Sequence, residues 1–213
     1  DGSIHLNHGG TEMGQGLNTK VAQVVAEALG VDIDRIKITK TTTEKVPNTS
    51  ATAASSGSDL NGMAALDACR QLAERLTAFA AEAKKVAPEL VSIGETVRIG
   101  DEEIPFQDFI NTAYLARVQM SAAGFYKTPK IHWNRDTGQG RPFYYYAYGA
   151  ACSEVSVDTL TGEYVIERAD VLHDVGRSLN PALDKGQVEG AFVQGTGWLT
   201  TEELWWDAKG RLR

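Results

Sequence analysis

The chain has 213 residues, of which 42% are hydrophobic and 23% are charged, so its composition is that of an ordinary globular protein. The net charge of −7 and the lack of clustered Lys and Arg argue against nucleic-acid or anionic-membrane partners, and no apolar run approaches the length of a membrane-spanning helix. Cys69 and Cys152 lack a CxxC spacing, so we expect two isolated thiols in a reducing, cytoplasmic location.

Residues 1–58 predict a strand, a helix, a second strand and a loop. The first strand is expected within residues 1–6. Apolar residues with helical spacing then predict a helix that packs on one side: Leu17, Val21, Val24, Val25, Ala28 and Leu29. Gly30 is expected to end this helix in a left-handed conformation. Residues 31–40 alternate like a half-buried strand, and residues 41–58 predict a loop.

A second helix is expected to be capped at Ser58-Asp59 and to continue to about residue 85. Its predicted apolar face consists of Leu60, Met63, Cys69, Leu72, Leu76 and Phe79. A hairpin is predicted around Gly100-Asp101, followed by a helix from Gln107 to Arg117. We therefore expect a first α/β subdomain over residues 1–125.

The composition shifts across residues 126–142, which predict a turn-rich linker. Two strands, joined by residues 159–162, are expected to form an antiparallel pair with one buried face. Asn180 and Pro181 predict the start of a last helix. The residues expected to share its inner face are Val188, Ala191, Phe192, Gly195 and Leu199. Residues 143–213 thus form the second part, and helices on a mixed or antiparallel sheet give an α+β fold class.

The start of the chain lacks Met, and the end closely follows a turn at Lys209-Gly210. We interpret the chain as a fragment of a longer polypeptide. An excised domain with flexible ends is the alternative.

The stretch GGTEMGQG, residues 9–16, precedes the first helix and predicts a ligand-binding helix start. Gly14 and Gly16 would let a phosphate or oxo-anion approach the backbone N–H groups from Thr11 onward. The two glycines alone are more typical of tight helix packing. Gln15 favours a binding role, because a side-chain amide between two glycines has no packing use and can both donate and accept hydrogen bonds.

The loop of residues 48–59 combines hydroxyl groups with small apolar residues. Thr52, Ser55 and Ser58 supply hydroxyls, while Ala53 and Ala54 are small enough to line the floor of a pocket. This pattern suits a ligand with one polar edge and one flat face. A simple Ser/Thr-rich connector is the alternative.

A third set of amides and glycines lies in residues 186–197. Gln187 and Gln194 share a helix face near Gly190, and close packing explains the glycines but not the glutamines. The histidines form no metal-binding pair and are interpreted as surface or satisfied core residues: His5, His8, His132 and His173.

The three motifs together resemble the C-terminal molybdenum-binding region of the xanthine dehydrogenase family. The matching stretches are GGTEMGQGLNTK, VPNTSATAASSGSDLNG and the segment of residues 174–204. The resemblance implies a molybdopterin bound between this region and the preceding part of the enzyme. It implies that Gln15 contacts the pterin or a terminal molybdenum ligand, and that Gln187 holds the pterin edge. It places Thr52, Ser55 and Ser58 on the pterin and its phosphate, and Ala53 and Ala54 in the purine pocket.

The resemblance also implies an activity: hydroxylation of hypoxanthine to xanthine and of xanthine to urate, with water as the oxygen source. Electrons would pass through iron–sulfur clusters and FAD to NAD. The family's general base is a glutamate in a Gly-Glu-Pro-Pro motif, expected downstream of Arg213, so the chain alone should be inactive. The parent is expected to be a homodimer or a dimer of heterodimers. The alternatives are the aldehyde oxidoreductase branch and a non-catalytic ligand-binding scaffold.

Overall fold

The computed structural model describes residues 1–44, 49–53 and 55–213 and divides the chain into two compact units, Asp1–Lys130 and Ile131–Arg213. Helices and small sheets are interspersed along both units, which confirms the predicted α+β class. None of the helices within the described ranges is both long and apolar enough to cross a bilayer.

Among its described residues, the first unit contains three α-helices and five short strands. In chain order they are β1 (Ile4–Leu6), α1 (Leu17–Leu29), β2 (Ile36–Ile38), α2 (Gly57–Lys84), β3 (Val91–Ser92), β4 (Thr96–Ile99), β5 (Glu102–Pro105) and α3 (Phe106–Leu115). Strands β1 and β2 pair in parallel, and β3, β4 and β5 form an antiparallel sheet whose β4–β5 connection turns at Gly100, as predicted. One core cluster joins the two sheets and the three helices of this unit.

Helix α1 follows its prediction at its C-terminus. Gly30 has a φ of 64°, and its N–H group donates to the carbonyls of Ala26 and Glu27. The buried face is shifted slightly from the predicted stripe, because Val24 and Ala28 are only partly buried. The fully buried positions are Leu17, Val21, Ala22, Val25, Ala26 and Leu29.

Strand β2 is shorter than the strand predicted over residues 31–40. Asp32 accepts the N–H group of Asp34 at 2.8 Å and caps a 3-10 turn over Ile33–Arg35. The extended strand therefore begins only at Ile36.

Helix α2 begins earlier than predicted, because Ser56 rather than Ser58 stands at the N-cap position. The Ser56 hydroxyl donates to the Ala53 carbonyl and does not cap the helix. The predicted inner residue Met63 is exposed, which contradicts the stripe at that position. Helix α2 packs against α1, where Gly62 faces Val24, and its buried small residues are Gly62, Ala65, Cys69, Ala80 and Ala81.

A bidentate ion pair fixes the start of β2 to the β3–β4 connection. The Arg35 guanidinium donates to both carboxylate oxygens of Glu95 at 2.7 Å, and Asp32 N–H also donates to Glu95 at 2.7 Å. The Arg35 bonds, followed by the Asp32 N–H, lower the pKa of Glu95 from 4.5 to about 2.

This ion pair should make stability depend on acid pH. Because the folded pKa of Glu95 lies below its unfolded value, its contribution is fully present above about pH 4.5 and is lost as the pH falls toward 2. Glu95→Gln should therefore flatten the loss of stability between those pH values. Urea unfolding at a series of pH values measures this slope. Glu89→Gln, which removes another exposed carboxylate, is the control and should keep the wild-type slope.

The second unit contains four strands and one long helix. They are β6 (His132–Asn134), β7 (Gln139–Arg141), β8 (Gly149–Val157), β9 (Tyr164–His173) and α4 (Pro181–Thr200). Strands β6 and β7 form a hairpin inside the stretch that was predicted to be a linker. Such short strands carry only three residues each, too few to give an alternating pattern in the sequence.

Strands β8 and β9 form the predicted antiparallel pair. The Gly162 N–H donates to the Asp158 carbonyl at 2.8 Å and closes the turn where it was predicted. The expected buried face is wrong for this chain, because every residue of both strands is exposed. A two-stranded sheet needs a second layer to bury one face, and the described part of this unit leaves an open cavity of about 570 Å³ between β9 and α4 instead.

Helix α4 starts as predicted. The Asn180 side chain accepts the Leu183 N–H at 3.2 Å, and Pro181 occupies the first helical position. Its predicted inner face is only partly buried at Val188, Phe192 and Gly195, and Ala191 and Leu199 are exposed. This face of α4 stays partly exposed because, as for β9, no second layer covers it among the described residues of this unit.

Candidate functional site

Two of the three predicted binding segments meet in the first unit. The Thr11 N–H, in the loop of residues 9–16, donates to Thr52 Oγ1 at 2.8 Å across 41 positions of sequence. Gly9 lies against the Thr49 side chain so closely that a Cβ on Gly9 would overlap it. The glycine-rich loop and the hydroxyl-rich loop are therefore held side by side.

The buried Leu17 side chain lies beside both the glycine-rich loop and the hydroxyl-rich loop. Its side chain is 1% exposed, and a Cβ added to Gly10 would overlap its Cδ2 atom. A Cβ on Gly57 would lie 3.3 Å from the same atom. Asn61 Nδ2 donates to the Gly57 carbonyl at 2.8 Å and also borders Gly10. The starts of α1 and α2 thus converge on one apolar side chain.

Glu12 occupies the start of α1, where the sequence predicted a ligand anion. Its Oε1 atom accepts the N–H groups of Gly14 at 2.9 Å and Gly16 at 3.0 Å, and its Oε2 atom accepts that of Asn18 at 2.9 Å. Desolvation alone would raise the pKa of Glu12, but these backbone bonds outweigh it, so the pKa is lowered. No role was predicted for Glu12. The sequence feature that could have indicated this role is an acidic residue two positions before Gly14, close to the start of a helix.

The Gln15 amide is used within its own loop. Oε1 accepts the Met13 N–H at 2.6 Å, and Nε2 donates to the Thr11 carbonyl at 2.8 Å. An amide has two N–H donors and two acceptor lone pairs, so one of each remains for a further partner. Space above the loop is open, since a Cβ on Gly14 would meet no atom within 4 Å.

The other predicted residues of the second loop are placed as follows. Ser55 is exposed and has a φ of 55°, a left-handed conformation that non-glycine residues rarely adopt. Ser58 lies in the first turn of α2 and is partly buried. Ala53 is exposed, and its carbonyl accepts the Ser56 hydroxyl at 3.1 Å. Ala54 and residue 48 lie outside the described residues.

His8 is a buried residue directly before the glycine-rich loop. Its Nδ1 atom accepts the Gly10 N–H at 3.1 Å, while its Nε2 atom is buried with no hydrogen-bond partner in the part of the chain that the structure describes. Burial lowers the pKa of His8, and nearby Asn18, Asn61 and Glu12 oppose this only in part. The neutral ring therefore carries its proton on Nε2, the nitrogen that does not accept the Gly10 N–H.

Further buried polar atoms in the same unit have no hydrogen-bond partner among the described residues. They are Asn18 Oδ1, Thr42 Oγ1 and Asp59 Oδ1. Buried polar atoms are normally hydrogen-bonded, so each of these atoms has capacity for a further partner such as water or a ligand. Asn18 and Asp59 lie in the first turns of α1 and α2.

The third predicted segment belongs to the second unit. Gln187 is exposed on α4, and Gln194 is exposed farther along the same helix. The cavity between β9 and α4 is lined by the neighbouring residues Val188 and Glu189, whereas Gln187 does not contribute to it. Within the described ranges, no group of three or more His, Cys, Asp or Glu side chains could hold a metal ion directly.

Comparison with known proteins gives a consistent result. A family model described as a molybdopterin cofactor-binding domain matches residues 1–213. The chain is 49% identical to a xanthine dehydrogenase of Dictyostelium discoideum over 96% of its own length and 14% of that protein. It is also 49% identical to a xanthine dehydrogenase/oxidase of Felis catus over 100% of its length and 15% of that protein.

A solved structure shares the fold. The CO dehydrogenase from Oligotropha carboxidovorans superposes with a TM-score of 0.80 at 22% identity, over 99% of this chain and 26% of the other. The chain spans only about a seventh of the length of the two xanthine dehydrogenase relatives, at 14% and 15%. The match of the family model over the whole chain shows that the chain belongs to the molybdopterin cofactor-binding domain family.

Proposed function

We propose that this chain forms one share of the molybdopterin site of a purine hydroxylase, which converts hypoxanthine to xanthine and xanthine to urate. The names of the relatives at 49% identity support the purine substrate. The observation that carries the proposal is the Thr11–Thr52 hydrogen bond, because it joins the two loops whose residues the family resemblance assigns to the cofactor.

The residues of the joined loops fit a molybdopterin by the chemistry of their donors. A pterin presents a ring edge of nitrogen and oxygen atoms, and the cofactor also carries a phosphate. Hydroxyl, amide and backbone N–H groups bind both without a lysine. Asn18 Oδ1 and Asp59 Oδ1, buried at the two helix starts, have no hydrogen-bond partner among the described residues, and a polar ligand there would satisfy them.

Each predicted residue then has a specific task. The spare N–H group of Gln15 contacts the pterin or a terminal ligand of the metal. Thr52, Ser55 and Ser58 bind the pterin and its phosphate, and Gln187 binds the pterin edge. Ala53 and Ala54 line the purine pocket, where small side chains leave room for a flat ring.

The chain's contribution to the reaction is binding and orientation. When bound, the molybdopterin would supply the redox chemistry of hydroxylation, with iron–sulfur clusters, FAD and NAD as the electron acceptors. The Thr11–Thr52 bond and the Leu17 contact fix the two loops before the cofactor arrives, so fewer side chains have to be ordered on binding. The proton acceptor is a glutamate of a Gly-Glu-Pro-Pro motif downstream of Arg213.

The setting of the whole protein is part of the same proposal. The rest of the molybdenum subunit and the iron–sulfur and FAD domains are its partners, and the parent is a homodimer or a dimer of heterodimers. A cytoplasmic location is supported by two free cysteines, Cys69 and Cys152, of which Cys152 is exposed.

The test is a set of variants in the complete reading frame, expressed in a host that makes the cofactor. Thr52→Val removes the acceptor of the Thr11 N–H and should weaken cofactor retention about 2- to 10-fold, the effect of one lost hydrogen bond. Molybdenum and pterin per chain are measured. Thr52→Ser should retain the cofactor, and Thr112→Val on α3 is the matched control. Wild-type cofactor content in Thr52→Val would contradict the proposed site.

A substrate comparison separates the two branches of the family. Turnover of hypoxanthine and xanthine should exceed turnover of aromatic aldehydes. A preference for aldehydes would assign the protein to the aldehyde oxidoreductase branch. A reading frame with stop codons at both ends of this chain would instead favour the scaffold.

A further inference from the structure

The backbone N–H groups of the glycine-rich loop are largely satisfied by the chain itself. Six of them between residues 10 and 18 donate to protein side chains, and they belong to Gly10, Thr11, Met13, Gly14, Gly16 and Asn18. A phosphate that used the start of α1 would have to displace an acceptor already in place. The helix start is therefore not a vacant anion site.

Glu12 is the acceptor that replaces such an anion. It binds three N–H groups with one carboxylate, at 2.9, 3.0 and 2.9 Å. Gly14 and Gly16 direct their N–H groups to it from left-handed conformations, with φ of 97° and 74°, which other residues rarely adopt. The pKa of Glu12 is lowered, because these backbone bonds outweigh the opposing effect of burial.

The remaining contacts of the loop surround this centre. Gln15 closes the loop onto Thr11 and Met13, and Thr11 in turn binds Thr52 of the second loop. Any loss of the Glu12 contacts therefore changes the position of Gln15 and of the Thr11–Thr52 link. The hydrogen bonds described for Glu12 are all with backbone N–H groups of the chain itself.

We propose that Glu12 is a positioning residue: its carboxylate serves as the internal anion of α1 and holds the loop of residues 9–16 in the shape that presents Gln15 to the cofactor. The loop-shaping part stands on the hydrogen bonds above, while the part concerning the cofactor rests on the proposed function. With the start of α1 occupied by Glu12, the hydroxyl-rich loop remains as the phosphate site of the proposed function.

The test uses amide hydrogen exchange and 1H–15N spectra of the 213-residue chain. Glu12→Ala should accelerate exchange at Gly14, Gly16 and Asn18 by at least about tenfold, the factor expected when a hydrogen bond to a charged group is lost. Sodium formate should restore protection at the same three amides, because it supplies a carboxylate to the opened helix start. Inorganic phosphate should shift these amides in Glu12→Ala and leave them unshifted in the wild type.

Two further variants separate positioning from general destabilisation. Glu12→Gln keeps one acceptor oxygen without the charge, so its exchange rates should lie between those of wild type and Glu12→Ala. It also serves as the test if Glu12→Ala does not fold. Glu27→Ala removes an exposed carboxylate from the far end of the same helix and should show neither faster exchange nor a formate response.

The opposite results would overturn the proposal. Wild-type amides that respond to phosphate would show that the helix start is open to a ligand anion. Unchanged exchange in both Glu12 variants would show that the carboxylate does not hold the loop. Molybdenum content of Glu12→Ala in the complete reading frame tests the link to the cofactor, and a wild-type value would refute that link. A wild-type protein without molybdenum would refute the proposed function while leaving the amide results intact.

Discussion

Leu17→Ala is expected to lower the free energy of unfolding by about 3–5 kcal/mol, the range for buried leucines whose removal leaves a cavity. Leu17 is 1% exposed, and its side chain lies where a Cβ of Gly10 would overlap it and 3.3 Å from where a Cβ of Gly57 would be. The backbone of a loop cannot collapse into the space without breaking its hydrogen bonds, so the cavity should persist and the cost should lie toward the upper end.

Urea denaturation of the 213-residue chain measures this loss. Leu115→Ala is the matched control, since Leu115 is 71% exposed at the end of α3 and should change stability by no more than about 0.5 kcal/mol. Faster amide exchange at Gly10 and Gly57 should accompany the loss in Leu17→Ala. A change below about 1 kcal/mol would show that Leu17 does not support the loops.

Gly124→Ala should have the second-largest effect on stability. A Cβ at this position would overlap the Ala64 carbonyl oxygen and lie 2.6 Å from the Ala68 nitrogen, both of which are backbone atoms of α2. The chain at Gly124 must move away from the helix, because α2 cannot yield locally without breaking its own hydrogen bonds. Overpacking of this kind costs about 1–3 kcal/mol.

Polar bonds between α2 and the segment of residues 119–125 should be lost with that movement. Arg75 donates to the carbonyls of Gln119 and Ser121 at 2.8 and 3.0 Å, and the Phe125 N–H donates to Asp67 at 3.1 Å. Each such bond adds about 1 kcal/mol to the cost.

Gly62→Ala in the same helix is the control for Gly124→Ala. Its Cβ would lie at an ordinary 3.5 Å from Val24, and the gain in helix propensity should stabilise the chain by up to about 1 kcal/mol. Opposite signs for the two glycines in urea denaturation are the expected result. Equal effects would show that the segment of residues 119–125 does not pack on α2 as the structure has it.

Local signals in the sequence predicted the helix ends that depend on local chemistry. Gly30 ends α1 and Asn180 with Pro181 starts α4, because a left-handed glycine and a side-chain cap act within a few residues. The start of α2 was misplaced, since Ser56 and Ser58 are equally good caps in sequence and neither caps the helix. Gly57, the first residue of α2, lies near Leu17 of α1, and a neighbour so distant in sequence is not visible in a local pattern.

The candidate site was likewise predicted only in part. The sequence identified the glycine-rich and hydroxyl-rich loops, because their residue types are unusual for connectors. It did not reveal that the Thr11 N–H donates to Thr52, a contact across 41 positions. Nor did it reveal that the Glu12 carboxylate accepts the Asn18 N–H at the start of α1. The burial predicted for β8 and β9 failed because an alternating strand shows which face is apolar, but not whether the same chain supplies the layer that covers it.

We propose that the chain supplies some, but not all, of the residues of a molybdopterin site. Three or four hydrogen bonds of about 0.5–1.5 kcal/mol from exposed groups cannot offset the roughly 4–15 kcal/mol of lost rigid-body freedom on binding. The most direct test is elemental analysis of molybdenum per chain. It compares the 213-residue chain with the protein encoded by the complete reading frame, both purified from the same cofactor-producing host. We predict no molybdenum on the isolated chain and near-stoichiometric metal in the complete protein. Stoichiometric molybdenum on the isolated chain, or none in the complete protein, would contradict this account.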